Sequence, residues 1–162
     1  VSLGLRLLGR REVSPAEQSE TEAHWERLLV RGRGYRQEAL KQIGPLWDRD
    51  EVARHLGVSI PTLHSRRKRG ELLAVTFDSY HYSYPAWQFV GSPVEGETGV
   101  VRHFAEILRL LGDLPSWEKA RFFVTEAPPL GGRRPIDILR RGGPSQIDDV
   151  RMLAPRVGEM GL

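Results

Sequence analysis

The sequence predicts a mainly α-helical fold with a small β-hairpin near its middle. Three observations carry that expectation: short apolar stretches recur at helical spacing, capping residues and glycines punctuate them, and residues 72–84 switch to strand-like alternation. Composition agrees, since 162 residues with 40% hydrophobic and 28% charged side chains have the ordinary mix of a folded chain. No apolar stretch approaches the roughly 18 residues that a spanning helix needs, which excludes a membrane protein. Val1–Leu8 contains Arg6 and runs into Arg10 and Arg11, the wrong order for a secretory signal, so a cytoplasmic location is expected. The absence of Cys removes disulfides and thiolate zinc sites, and five scattered His leave no expected metal or cofactor.

The elements follow in order. Ser14, Pro15 and the acids after them start a helix over 14–30, and Gly32, Arg33 and Gly34 break it before a second helix over 35–43. Asp48–Gly57 reads as a compact helix with Val52, Ala53 and Leu56 on one side, and Gly57, Val58 and Ser59 turn the chain. Ser59 then caps a helix that Gly70 stops after Arg66, Arg67, Lys68 and Arg69. Strands are expected over 72–77 and 80–84, joined at Asp78 and Ser79. Residues 46–90 thus read as a winged helix-turn-helix, after a helical arm over 1–45 and before a linker over 91–98. Over 99–162 a helical unit follows. Val101, Phe104, Ile107, Leu108 and Leu111 form an apolar stripe, Ser116 caps a helix carrying Trp117, Ala120 and Phe123, and Pro135 starts a short helix that Gly142 and Gly143 end. Ser145 with Asp148 resembles a capping box for a last helix over 146–153 that Pro155 ends. With its own caps, this unit is expected to fold without the winged part. Its stripe is large for so small a unit, which suggests a homodimer.

Chemistry concentrates in two places. The helix Ser59–Arg69 holds four basic residues and no acid, more than its own dipole needs. Thr62, Ser65 and Arg66 are expected to face a DNA groove and Arg67 and Arg69 the phosphates, with the cap Ser59 and Lys68 also among the DNA-binding residues and His81 at the wing near the flanking minor groove. The charge excess of +3 lies in the first 90 residues, where double-stranded DNA would be met. The second place is the run LGGRRPIDILRRG at Leu130–Gly142. Its glycines precede a helix start, but no strand leads in and no Gly-Lys-Ser/Thr follows, so a nucleotide-binding P-loop is disfavoured. No Ser, His and acid arrangement or spaced carboxylate pair indicates catalysis, and Trp25, Trp47, Trp87 and Trp117 read as core anchors.

Taken together, Leu72–Phe89 with Tyr84-Pro85-Ala86-Trp87-Gln88-Phe89, Trp117–Val124 and the LGGRRPIDILRRG run resemble antitoxins that carry an Xre/MbcA/ParS-type toxin-binding domain. The resemblance implies a C-terminal helical domain that covers a RES-domain toxin, an NAD-consuming enzyme encoded next door, and an N-terminal domain that binds its own promoter and represses the operon. Leu130, Gly131, Gly132, Arg133, Arg134, Pro135, Arg140 and Arg141 are the residues expected to meet the toxin. Members of that class commonly carry an all-helical DNA-binding domain, whereas the hairpin here resembles MerR or excisionase winged domains. The alternative is a stand-alone transcription regulator whose C-terminal domain dimerises or binds another protein.

Overall fold

The structure, a computed structural model, describes residues 15–76, 80–92 and 96–160. It is mainly α-helical, with two small antiparallel sheets. Helix α1 runs unbroken over Pro15–Ile43, through the Gly32–Gly34 segment where two helices were expected. A glycine inside a helix costs only about 1 kcal/mol relative to alanine, too little to end a helix whose other residues favour it. The chain divides at Glu38 and Ala39 into two compact units, and the second carries all the features below.

In that unit β1 (Leu46–Trp47) leads into α2 (Arg49–Leu56) and α3 (Ile60–Lys68). Strand β2 (Tyr84–Pro85) pairs antiparallel with β1, Trp47 opposite Tyr84, so this strand lies at the entrance of α2. The expected 72–77/80–84 hairpin is reduced to one bridge, in which Val75 and Ser83 exchange backbone hydrogen bonds of 2.8 and 3.0 Å. The joining residues 77–79 lie outside the described ones. Strands β3 (Phe89–Ser92) and β4 (Glu97–Val100) form a second hairpin where a linker over 91–98 was expected, with Gly91 opposite Thr98 and Ser92 opposite Glu97.

Four helices complete the unit: α4 (Phe104–Leu110), α5 (Ser116–Val124), α6 (Pro135–Arg141) and α7 (Pro144–Met160). Helix α4 starts later than the stripe suggests because Val100 ends β4 and His103 holds a left-handed backbone, φ 63°. Helix α7 continues past Pro155, which was expected to end it. An interior proline costs about 3 kcal/mol, and burial of Val150 and Ala154, with Leu153 and Val157 packed against the same core, offsets it. The expected Ser145–Asp148 capping box is absent. Instead Gly143 N–H donates to Gln146 Oε1 at 3.1 Å, and Asp148 pairs with Arg151. Gly158 packs so closely on α4 that an added Cβ would stand 2.8 Å from the Leu111 carbonyl oxygen.

Two buried clusters form the core. The smaller gathers Val52, Ala53, Leu63, Tyr84 and Phe89 around the α2–α3 pair, and the larger gathers Phe104, Ile107, Leu111, Phe123 and Ile138 among α4–α7. They share one wall. Along the extended segment after α3, Leu72 and Ala74 enter the smaller cluster while Leu73 and Val75 enter the larger, the two-residue period of a strand buried on both faces. Fully buried Gln88 fastens this wall: its Oε1 accepts from Leu73 N–H at 2.9 Å, and its Nε2 donates to the Leu73 and Pro85 carbonyls at 2.8 and 3.0 Å. The helices after residue 99 therefore share their core with Ile43, Leu73, Val75 and Trp87, contrary to the expectation of an autonomous unit. The apolar stripe from Val101 to Leu111 is buried within this chain, so it no longer argues for a homodimer.

Candidate nucleic-acid interface

Local chemistry sets the angle between α2 and α3. Asp48 and Glu51 close a capping box at the start of α2, with both hydrogen bonds 2.8 Å long. Gly57 ends that helix in the left-handed region, φ 65°, where a residue with a Cβ is disfavoured, and Val58 N–H returns to the Ala53 carbonyl at 3.0 Å. Ser59 caps α3: its Oγ accepts from Thr62 N–H at 3.3 Å and donates to Thr62 Oγ1 at 2.9 Å. Leu63 is fully buried against α2, which turns the opposite face of α3 outward.

Pro61, Thr62, Ser65, Lys68 and Arg69 are exposed, while His64, Arg66 and Arg67 are half-buried. The outward stripe is thus Thr62, Ser65 and Lys68 at successive i+3 steps, joined by Arg69, and Arg66 stands to its side. Arg67 is engaged elsewhere, its guanidinium lying 3.9 Å from the centroid of the Tyr82 ring. Arg69 forms a 3.0 Å ion pair with Glu71. Ser59 is exposed but spends its hydroxyl on the cap, and His81 is exposed. Burial raises the pKa of the Tyr84 hydroxyl behind this face, and the nearby Arg67 charge opposes that shift.

The 130–142 run folds into one turn and one helix. Leu130 is buried, Gly131 and Gly132 have φ of 66° and 76°, and Pro135 is the buried first residue of α6. Arg133 donates to Gln146 Oε1 at 3.1 Å, and Arg134 holds Asp137 through bonds of 2.7 and 3.0 Å. That hydrogen bonding keeps the Asp137 carboxyl below the usual carboxylate range. Arg140 donates to the Trp87 carbonyl at 3.1 Å and to the Phe89 carbonyl at 2.9 Å, tying α6 to the β2–β3 segment. Arg141 is exposed. All four arginines line one groove together with Trp87 and Ile136.

Three residues were missed in the sequence. Besides Gln88, buried His55 meets the Val90 carbonyl through Nε2 at 3.0 Å and packs against Trp47 and Phe89. Arg109 donates to the Arg69 carbonyl at the end of α3, at 3.2 and 3.4 Å. Their partners lie 35 to 40 residues away for His55 and Arg109, so no local pattern reveals them. Trp47, Trp87 and Trp117 pack against the two clusters as core anchors; the Trp25 side chain lies outside what is described. Among the described residues no three His, Asp or Glu side chains gather as metal ligands would, and no helix is long and apolar enough to cross a membrane.

No known family pattern matches the chain, and no curated protein matches it. Among solved structures, the NMR structure of Rv2175c is similar, with a TM-score of 0.50 and 25% sequence identity over 73% of this chain and 82% of that one. The likeness spans most of both chains, so the mainly helical architecture is shared.

Proposed function

We propose that this chain is a DNA-binding antitoxin: a winged helix-turn-helix presents α3 to the major groove of its own promoter, and the C-terminal helices bind a RES-domain toxin. The observation that carries the first half is the outward stripe of α3, where Thr62 and Ser65 offer hydrogen-bonding groups and Lys68 and Arg69 offer charge, on a helix held by α2 behind it. Such a face can meet base edges with its short polar side chains and phosphates with its cations. Support for the second half is the resemblance of the 130–142 run, together with the convergence of Arg133, Arg134, Arg140 and Arg141 on one groove. A partner presenting carboxylates fits that groove best, through Arg141 first, because the other three already have partners.

The DNA half is tested by titrating full-length protein with a duplex taken from upstream of its own gene. Thr62→Ala should cost about 1 to 3 kcal/mol at one position of the site, and Lys68→Ala should lower the slope of log affinity against log salt by about one. Wild-type affinity and slope in both folded variants would remove α3 from the interface. For the toxin half, co-expression with the RES-domain protein of the adjacent gene should restore growth and cellular NAD, and Arg141→Glu should weaken that rescue. A chain that binds its promoter but does not neutralise the toxin is the stand-alone regulator.

A further inference from the structure

A groove that the sequence gives no hint of lies beside the outward face of α3. Its walls are the end of α3 with the extended segment behind Gly70 on one side, and α4 with the start of α5 on the other. Arg67, Lys68, Arg69, Arg109 and Lys119 line it, and Asp113 is the one carboxylate among its lining residues. Lys68 and Arg69 belong both to this groove and to the exposed stripe of α3, so the two surfaces are continuous. Arg109 is held in place by the Arg69 carbonyl, which keeps its positive charge among the groove's lining residues. Gly70 ends this turn with φ 74°, a backbone that glycine adopts readily, and a Cβ there would meet Arg109 Cγ only at ordinary contact distance, 3.5 Å.

We propose that this groove carries the phosphate backbone of the DNA strand that flanks the site read by α3, with Arg109 and Lys119 of the C-terminal helices as phosphate contacts. The inference rests on the DNA-binding reading above and extends it to a part of the chain that was assigned to the toxin alone. Charge complementarity selects the occupant. Five cations line the groove against Asp113, and even with Arg69 paired to Glu71 beside it the groove stays net positive, which suits a polyanion that spaces its charges regularly; contacts of this kind are indifferent to base sequence.

The experiment measures affinity by fluorescence anisotropy across a salt series, using full-length protein with the promoter duplex and with a mixed-sequence duplex of equal length. Lys119→Gln should lower the salt slope by about 0.9, which is about an eightfold loss at 0.1 M salt relative to 1 M, and by the same factor on both duplexes. Lys119→Arg should restore the wild-type slope, and Arg109→Gln should lower it again. Thr62→Ala serves as the control, since it should weaken the promoter duplex alone. If Thr62→Ala behaves so while folded Lys119→Gln and Arg109→Gln keep the wild-type slope, the groove is not a phosphate track and the reading of α3 stands. A slope that falls in Lys119→Gln but stays low in Lys119→Arg overturns the proposal too, because charge is then not what matters. Failure of the wild type to bind either duplex overturns both readings together.

Discussion

The two clusters of the second unit are built differently. Around α4–α7 the core is aromatic and layered: Phe104 and Phe123 lie 4.7 Å apart at their centroids, Trp87 stands 6.0 and 5.5 Å from them, and Phe122 is edge-on to Phe123. Around α2 and α3 the core is thinner. Trp47 stacks on Phe89 at 5.2 Å, but polar His55 occupies a buried position beside them, and α3 contributes Leu63 as its one fully buried side chain. The helix that faces outward therefore has little apolar anchorage of its own. Its position depends on caps at Asp48, Gly57 and Ser59, and on the wall that it shares with the thicker core.

That dependence is open to measurement. The largest effect should come from cutting the chain: a Gly99–Leu162 fragment loses Ile43, Leu73, Val75 and Trp87 from its core, whereas an Ala39–Leu162 fragment keeps them. The longer fragment should unfold in one cooperative urea transition and the shorter should show none. A cooperative transition in the shorter one would mean that the cores are independent. Next is Gln88→Ala, which leaves the Leu73 N–H and the Leu73 and Pro85 carbonyls without their partner inside the protein. It should cost about 3 kcal/mol in urea unfolding, and the Trp47 and Trp117 regions should lose stability together, as residue-resolved hydrogen exchange would report.

The smallest effect belongs to the surface of the thicker core. The Arg134–Asp137 pair is partly exposed, so Asp137→Asn should cost only about 0.5 kcal/mol at neutral pH. Because Arg134 lowers the Asp137 pKa in the folded state, this contribution is complete above the ordinary carboxylate value and disappears as the pH falls through the lowered one. Urea midpoints of wild type and variant should converge in acid. Curves that stay parallel would show that the pair stabilises by packing rather than by charge.

What the sequence made legible is what local chemistry specifies. The α2–turn–α3 unit follows from Asp48, Gly57 and Ser59, each acting within four residues, and α6 follows from Pro135 and Gly142 in the same way. The stripe from Val101 to Leu111 is buried as its periodicity required. Pairings that span the chain were illegible. Nothing near Trp47 announces Tyr84 as its partner, and β3 with β4 replaced the linker because Gly91 and Gly99, which look like breaks, sit in a ladder whose pairing only the fold reveals. At the candidate interface the type of helix was legible and its rotation was not. The four basic residues in a row do not share one face, and it took the burial of Leu63 and the ring of Tyr82 to turn Lys68 outward and Arg67 inward.

Gly158 gives the α4–α7 contact a property that the aromatic core lacks. In the aromatic core a lost methyl group can be answered by a neighbour that shifts or grows, so many combinations of side chains fill the same volume. At Gly158 the obstacle is the backbone of Leu111, which no substitution elsewhere can trim. Divergent sequences can therefore rebuild the interior by compensating pairs, but at this crossing they have a single admissible letter, and any drift away from it must first push two helices apart.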